Sequence, residues 1–253
     1  MKILHMSDLH VNDENHEKLL VLFKSLSKLK DLNEYVVVVT GDLTDTSSEH
    51  DTRLALGLFG LIARAKDILF VAGNHDYLRI MGNGFTRCGE CINRFNTVFG
   101  VGGYPIETVI DGYRFVGINT ANARFFASGE IGLKQIIDLR GIVKKNKTFT
   151  DTIIYMHHHP FKHRHKWWKI WKWFSEKTME LEDSKMFMDT IKDTNVGLVL
   201  YGHKHMYLGK KIKNNITFVN GGSTSGKESR FGVALIEYIN GEKKVTLRWE
   251  GWK

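Results

Sequence analysis

An α/β fold is predicted for this chain of 253 residues by the alternation of short β-rich runs with longer stretches of helical period. Several of the β-rich runs are almost wholly apolar, as central strands covered on both faces are. The last runs follow one another without a long helical stretch between them, so the sheet arrangement should be mixed and not purely parallel.

Taken in chain order, strands are expected at residues 3–6, 35–40, 68–72, 114–119, 152–156, 196–201, 216–220, 233–238 and 244–249. Between the first two, Leu19, Leu22, Phe23, Leu26 and Leu29 recur at three- and four-residue spacing, which makes one apolar helical stripe able to pack on a sheet. Further helices are expected at 54–65, 133–143 and around 184–191. No internal repeat, low-complexity tract or linker divides the sequence, so one domain spanning 1–253 is expected.

A hydrophobic content of 42% and a charged content of 25% belong to a soluble globular protein. The longest apolar runs fall short of the roughly 18 residues a membrane span needs. The apolar stretch at the N-terminus is too short for a secretory signal. Two cysteines, Cys88 and Cys91, do not make a disulfide framework, which favours the reducing cytoplasm as location. Their spacing is zinc-like or redox-like, but without a second pair they read as incidental thiols, with a redox or extra metal role as the alternative. The net charge of +8 and pI near 9.3 favour anionic partners and leave phosphates, nucleic acids and acidic lipids open. No obligate protein partner is indicated.

Five clusters of metal-capable side chains follow expected strands, where ligands gather in open α/β sheets. They are Asp8-Leu9-His10, Gly41-Asp42, Gly73-Asn74-His75-Asp76, His157-His158-His159 and Gly202-His203-Lys204-His205. Carboxylates, imidazoles and one amide oxygen suit borderline divalent ions such as Mn, Fe, Zn or Ni, and the lack of thiolates disfavours a structural zinc. Two such ions about 3.5–4 Å apart, sharing a carboxylate, would form a hydrolytic centre suited to phosphate esters.

Asp-x-His, Gly-Asp, Gly-Asn-His-Asp, a strand-terminal His and Gly-His-x-His, in this order from position 8 to 205, resemble the calcineurin-like metallophosphoesterase signature. Asn220-Gly221-Gly222-Ser223 looks like the Gly-Ser turn that often follows it. The resemblance implies a four-layer sandwich of two mixed β-sheets flanked by helices, with the metal pair at one end. It implies Asp8, His10, Asp42 and His205 around one ion, and Asp42, Asn74, His203 and a histidine of the triple run around the other. Counting from the strand selects His157; counting back from Pro160 selects His158, as a His-His-Pro strand end would. Within the resemblance His75 would stabilise the phosphate or protonate the leaving oxygen, with Asp76 orienting its ring, while Asn74 and Lys204 would also meet the substrate. The reaction implied is in-line attack on phosphorus by a hydroxide bridging the two ions.

The strand end at Asn119-Thr120 looks most like the cyclic-nucleotide phosphodiesterase-like branch, which implies phosphodiester substrates with monoesters as further candidates. A nuclease is the first rival, on the +8 charge and the Trp/Lys-rich segment. A non-catalytic binding scaffold is the rival of another class, opposed by the filled ligand positions. Residues 161–183 form that segment, in which Trp167, Ile170, Trp171 and Phe174 fall at helical spacing. It reads as a cap packed over the body near the site; substrate contact and peripheral membrane attachment are the alternatives. The basic runs at 140–147 and 204–213 read as solvated faces, except for Lys204.

Overall fold

The computed structural model describes residues 1–81, 84–122, 127–144, 149–161, 179–205, 209–225, 231–239 and 242–250. The expected cap at 161–183 falls largely outside the described residues.

Strands β1 (Lys2–Met6), β2 (Tyr35–Thr40) and β3 (Asp67–Val71) run parallel, joined by helices α1 (Asp13–Ser27) and α2 (Glu49–Leu61). Asn12 caps α1: its side chain accepts from Asn15 N, and the Asn15 side chain accepts from Asn12 N. After β3 come a short helical turn α3 (Asn74–Tyr77), the hairpin β4 (Leu78–Met81) and β5 (Gly84–Arg87), and helix α4 (Gly89–Val98). The chain then forms β6 (Ile106–Ile110), β7 (Tyr113–Ile118), α5 (Leu133–Lys144), β8 (Thr152–Met156), α6 (Ser184–Ile191) and β9 (Val196–Tyr201). It ends with β10 (Gly209–Lys213), β11 (Ile216–Asn220), β12 (Phe231–Ile239) and β13 (Glu242–Glu250).

One sheet has the order β13-β12-β1-β2-β3 and the other β10-β11-β9-β8-β7-β6, both mixed. Alternation along β2 explains why its run of valines is apolar throughout. Val36 and Val38 belong to the core between the sheets, with Phe115, Ile153, Tyr155, Leu198 and Leu200, while Val37 and Val39 face the core under α1 and α2. A third core lies between the second sheet and α5 and α6, through Ile136, Leu139, Phe187 and Ile191. Helix, sheet, sheet and helix thus form the expected four layers. Among the described residues no helix is long and apolar enough to cross a membrane.

Three expectations shift. Helix α2 starts at Glu49, before the apolar stripe, because the Ser48 side chain caps it by accepting from Asp51 N. Strand β10 carries no apolar signal because it is an exposed lysine-bearing edge. Cys88 and Cys91, expected as incidental thiols, are joined in a disulfide. Cys88 is the N-cap of α4 and its sulfur accepts from Cys91 N, which brings the two Cα atoms to 5.1 Å.

Candidate metal centre

Each cluster begins where a parallel strand ends. Asp8 and His10 follow β1, Asp42 follows β2, Asn74 to Asp76 follow β3, His157 follows β8, and His203 to His205 follow β9. These loops come from both sheets and meet at one end of the sandwich. Asp8, His10, Asp42, His203 and His205 all take positive φ, from 42° to 77°. Left-handed backbone at residues other than glycine costs on the order of 1–3 kcal/mol each and persists only where surrounding contacts hold it.

Those contacts are visible. Asp8 N and His10 N donate to the carbonyls of Gly41 and Asp42, and the Asn15 amide donates to His10 O at 2.9 Å, tying the α1 cap to this turn. Gly73 must lack a side chain, since a Cβ there would lie 2.1 Å from Asp42 Oδ1.

Two donor sets result. In the first, one ligand atom each from Asp8, His10, Asp42 and His205 lies within 4.8 Å of the others. His10 Nε2 is 2.9 Å from His205 Nε2 and 3.7 Å from Asp42 Oδ2, and His205 Nε2 is 3.2 Å from Asp8 Oδ1. In the second, His157 Nε2 lies 3.1 Å from His203 Nδ1, 3.2 Å from Asn74 Oδ1 and 3.3 Å from Asp42 Oδ2. Metal–ligand bonds of about 2.0–2.2 Å place neighbouring donors about 3–4 Å apart, so both sets have the spacing of a coordination shell. Asp42 Oδ2 faces both.

The chemistry of the donors fits the same reading. Burial opposes ionisation of Asp42, yet His157 and the neighbouring rings hold its carboxyl well below the usual range. Burial would lower the pKa of His157, but Asp42 and Asp8 raise it to about 9. Burial and the adjacent His158 and His157 hold His203 well below its ordinary value. Two buried carboxylates among four histidines form a centre that a cation completes.

The two candidates in the triple run differ in reach. His157 Nδ1 donates to Thr40 O at 2.8 Å, which turns its Nε2 toward Asp42 and Asn74. His158, fully buried, has Nδ1 2.8 Å from Thr120 Oγ1 and its ring 4.2 Å from that of His203. It lies within the span of His157 and His203 donors, but its Nδ1 and its backbone N–H both meet the Thr120 hydroxyl.

The expectation that Asp76 orients the His75 imidazole is corrected. The Asp76 carboxylate accepts from the backbone N–H groups of Leu43, Thr44 and Gly73, at 2.9–3.2 Å, and from the Thr44 hydroxyl. Adjacent residues on a helical turn point apart, so Asp76 ties α3 to the Asp42 loop while His75 faces the other way. Burial and the Asp42 charge push the Asp76 pKa up to about 6. The partner of His75 is Asp45, whose carbonyl accepts from His75 Nδ1 at 2.8 Å and whose carboxylate lies 3.2 Å from His10 Nδ1 and 3.9 Å from His75 Nδ1. Asp45 was missed. Its place three residues beyond Asp42, within a loop ending at a capped helix, was the available signal. Lys204 sits half-buried on the turn between His203 and His205.

The family model for calcineurin-like phosphoesterases matches residues 1–207. No curated protein matches the chain in sequence. Among solved structures, a dimetal phosphatase from Danio rerio is similar with a TM-score of 0.70 at 12% identity, over 98% of this chain and 95% of that one. Purple acid phosphatase PPD1 from yellow lupin (Lupinus luteus) seeds gives a TM-score of 0.67 at 15% identity over 99% of this chain, which spans 51% of the lupin chain. GAP50, the anchor in the inner membrane complex of Plasmodium, gives 0.63 at 13% identity over 98% of this chain and 84% of that one. These likenesses concern the fold, and together with the family match over most of the chain they lead to one statement: the chain belongs to the calcineurin-like phosphoesterase family.

Proposed function

We propose that this protein is a metal-dependent phosphoesterase that hydrolyses phosphodiesters, with monoesters as further substrates, at two divalent ions drawn from Mn, Fe, Zn and Ni. The observation that carries the proposal is Asp42, whose Oδ2 lies 3.7 Å from His10 Nε2 in one donor set and 3.3 Å from His157 Nε2 in the other. Asp8, His10, Asp42 and His205 would hold one ion, and Asp42, Asn74, His157 and His203 the other. When bound, the ions supply positive charge against the phosphate and lower the pKa of water at the site.

The chain's own groups do the rest. His75 donates Nδ1–H to the Asp45 carbonyl, so Nε2 is the atom left to carry the exchangeable proton. A protonated His75 would deliver that proton to the departing ester oxygen. Asn74 and Lys204 would contact the phosphate. Asp76 acts at a distance, by holding the loop of Asp42 against α3.

The cyclic-nucleotide phosphodiesterase-like branch is supported by the motif spacing and the Asn119-Thr120 strand end. A nuclease is supported by the +8 net charge and would show affinity falling steeply with salt. Metal-stripped protein should be assayed with and without Mn²⁺ on bis-p-nitrophenyl phosphate, p-nitrophenyl phosphate, a panel of cyclic nucleotides and single-stranded DNA. Activity restored by Mn²⁺ and highest on small diesters is the expected result. Preference for DNA would favour the nuclease, and folded protein that binds no metal would favour a binding scaffold.

A further inference from the structure

Ser7 lies next to the first proposed ligand and takes no part in the reaction above. It is fully buried. Its hydroxyl is 2.5 Å from Asp8 Oδ2 and 3.1 Å from Thr40 O. A hydroxyl has one proton to give, and the carboxylate is the stronger acceptor.

The two oxygens of Asp8 are therefore unequal. Oδ2 accepts from the Ser7 hydroxyl and, at 3.0 Å, from His203 N, while Oδ1 lies 3.2 Å from His205 Nε2 in the first donor set. The His203 N–H also reaches Oδ1, at 3.2 Å, so Ser7 is the donor that distinguishes the two oxygens.

Space is kept for this hydroxyl. A Cβ on Gly202 would lie 1.8 Å from Ser7 Oγ and 2.3 Å from Asp8 Oδ2, and one on Gly221 would lie 2.8 Å from Ser7 Cβ. The backbone around it is clamped by a turn beyond the family match. Ser7 N donates to Thr224 Oγ1 and Thr224 N to Ser7 O, while the Ser223 and Ser225 hydroxyls each donate to Asp8 O at 3.2 Å. These bonds hold Asp8 at its φ of 53°.

We infer that Ser7 is a positioning residue: its hydroxyl occupies Oδ2 of Asp8, so that Asp8 presents Oδ1 to the first donor set as a one-oxygen ligand. The inference rests on the proposed metal centre. It gives the turn at residues 223–225 a purpose, since that turn fixes the backbone from which both Ser7 and Asp8 project.

The test is metal uptake, not turnover. Metal-free wild-type protein, Ser7→Ala, Ser7→Cys and Ser7→Thr are titrated with Mn²⁺, following free ion by electron paramagnetic resonance, and their melting is recorded without metal. Wild type should take up two ions. Ser7→Ala should weaken one of the two by about 10–100-fold and leave the other within a few-fold, which is the usual effect of removing an outer partner of a ligand. Ser7→Thr should restore affinity because it restores the donor. Ser7→Cys keeps the volume with a poor donor, so it serves if Ser7→Ala does not fold, and should lose affinity likewise. Unchanged affinity at both sites in a folded variant, or equal loss at both, overturns the inference while the metal centre stands. Wild-type protein that takes up no Mn²⁺ overturns the metal centre and the inference with it.

Discussion

The two donor sets share Asp42 yet differ in composition and depth. Each side has two imidazoles; the Asn74, His157 and His203 side adds an amide oxygen, and its histidines are sealed at 0% and 4% exposure. The Asp8, His10 and His205 side adds a second carboxylate and opens to solvent through the His205 side chain, 20% exposed. Sealing demands internal partners, and His157 has one in Thr40 O. His75 lies on the open side, its ring 4.7 Å from that of His10. The difference predicts that an ion on the His205 side would exchange faster than one on the His157 side.

The largest test of that division removes what is shared. Asp42→Ala should abolish uptake of both ions and reduce hydrolysis to background, measured by metal content and ester turnover; retention of one tightly held ion would break the shared-carboxylate reading. His157→Ala should cost one ion and lower the thermal midpoint of the metal-free protein, because it removes a buried cation between Asp42 and Asp8. His205→Ala should cost the other ion with little change in melting.

His75→Ala should leave metal content intact and slow hydrolysis by about 10²–10⁴-fold, most for esters with poor leaving groups. A uniform effect across leaving groups would remove its role as acid. Asp45→Ala should do less. The backbone carbonyl that accepts from His75 survives the substitution, so the loss falls on His10, at about 10-fold in metal affinity.

The smallest effect concerns pH. His157 has its pKa raised to about 9 in the metal-free protein, against about 6.5 for an ordinary histidine. Its protonated form therefore stabilises the metal-free fold fully below about pH 6.5, and that contribution is lost as pH rises through about 9. An ion must displace this proton, so apparent affinity on the sealed side should rise by about tenfold per pH unit across that window. Calorimetric titration in buffers of different ionisation heat would count the proton released.

Most of the framework was legible in the sequence, and the reason is local. Strands at 152–156, 196–201 and 216–220 coincide with those found because their residues are mostly apolar and β-branched or aromatic, and bounded by polar or glycine-containing turns. The strand β10 was not legible, since an exposed edge of lysines carries little apolar signal, whereas the helix α4 was overlooked although its buried Cys91 and Phe95 stand four residues apart, as on one helical face. The misassignment of Asp76 was avoidable, because neighbours on a helical turn diverge.

By itself the sequence determined the α/β class and the order and chemistry of the five clusters, because strand period and short polar motifs are properties of adjacent residues, while the four-layer arrangement came from the family resemblance. It did not determine which atoms meet. That His157 Nε2 turns to Asp42 depends on a carbonyl 117 residues away, and that Asp45 serves both His10 and His75 depends on loops from different strands. The same holds for the two oxygens of Asp8, distinguished by Ser7 under Gly202 and Gly221. Such pairings are fixed by side-chain direction where the ends of two sheets converge, and only the tertiary structure brings those ends together.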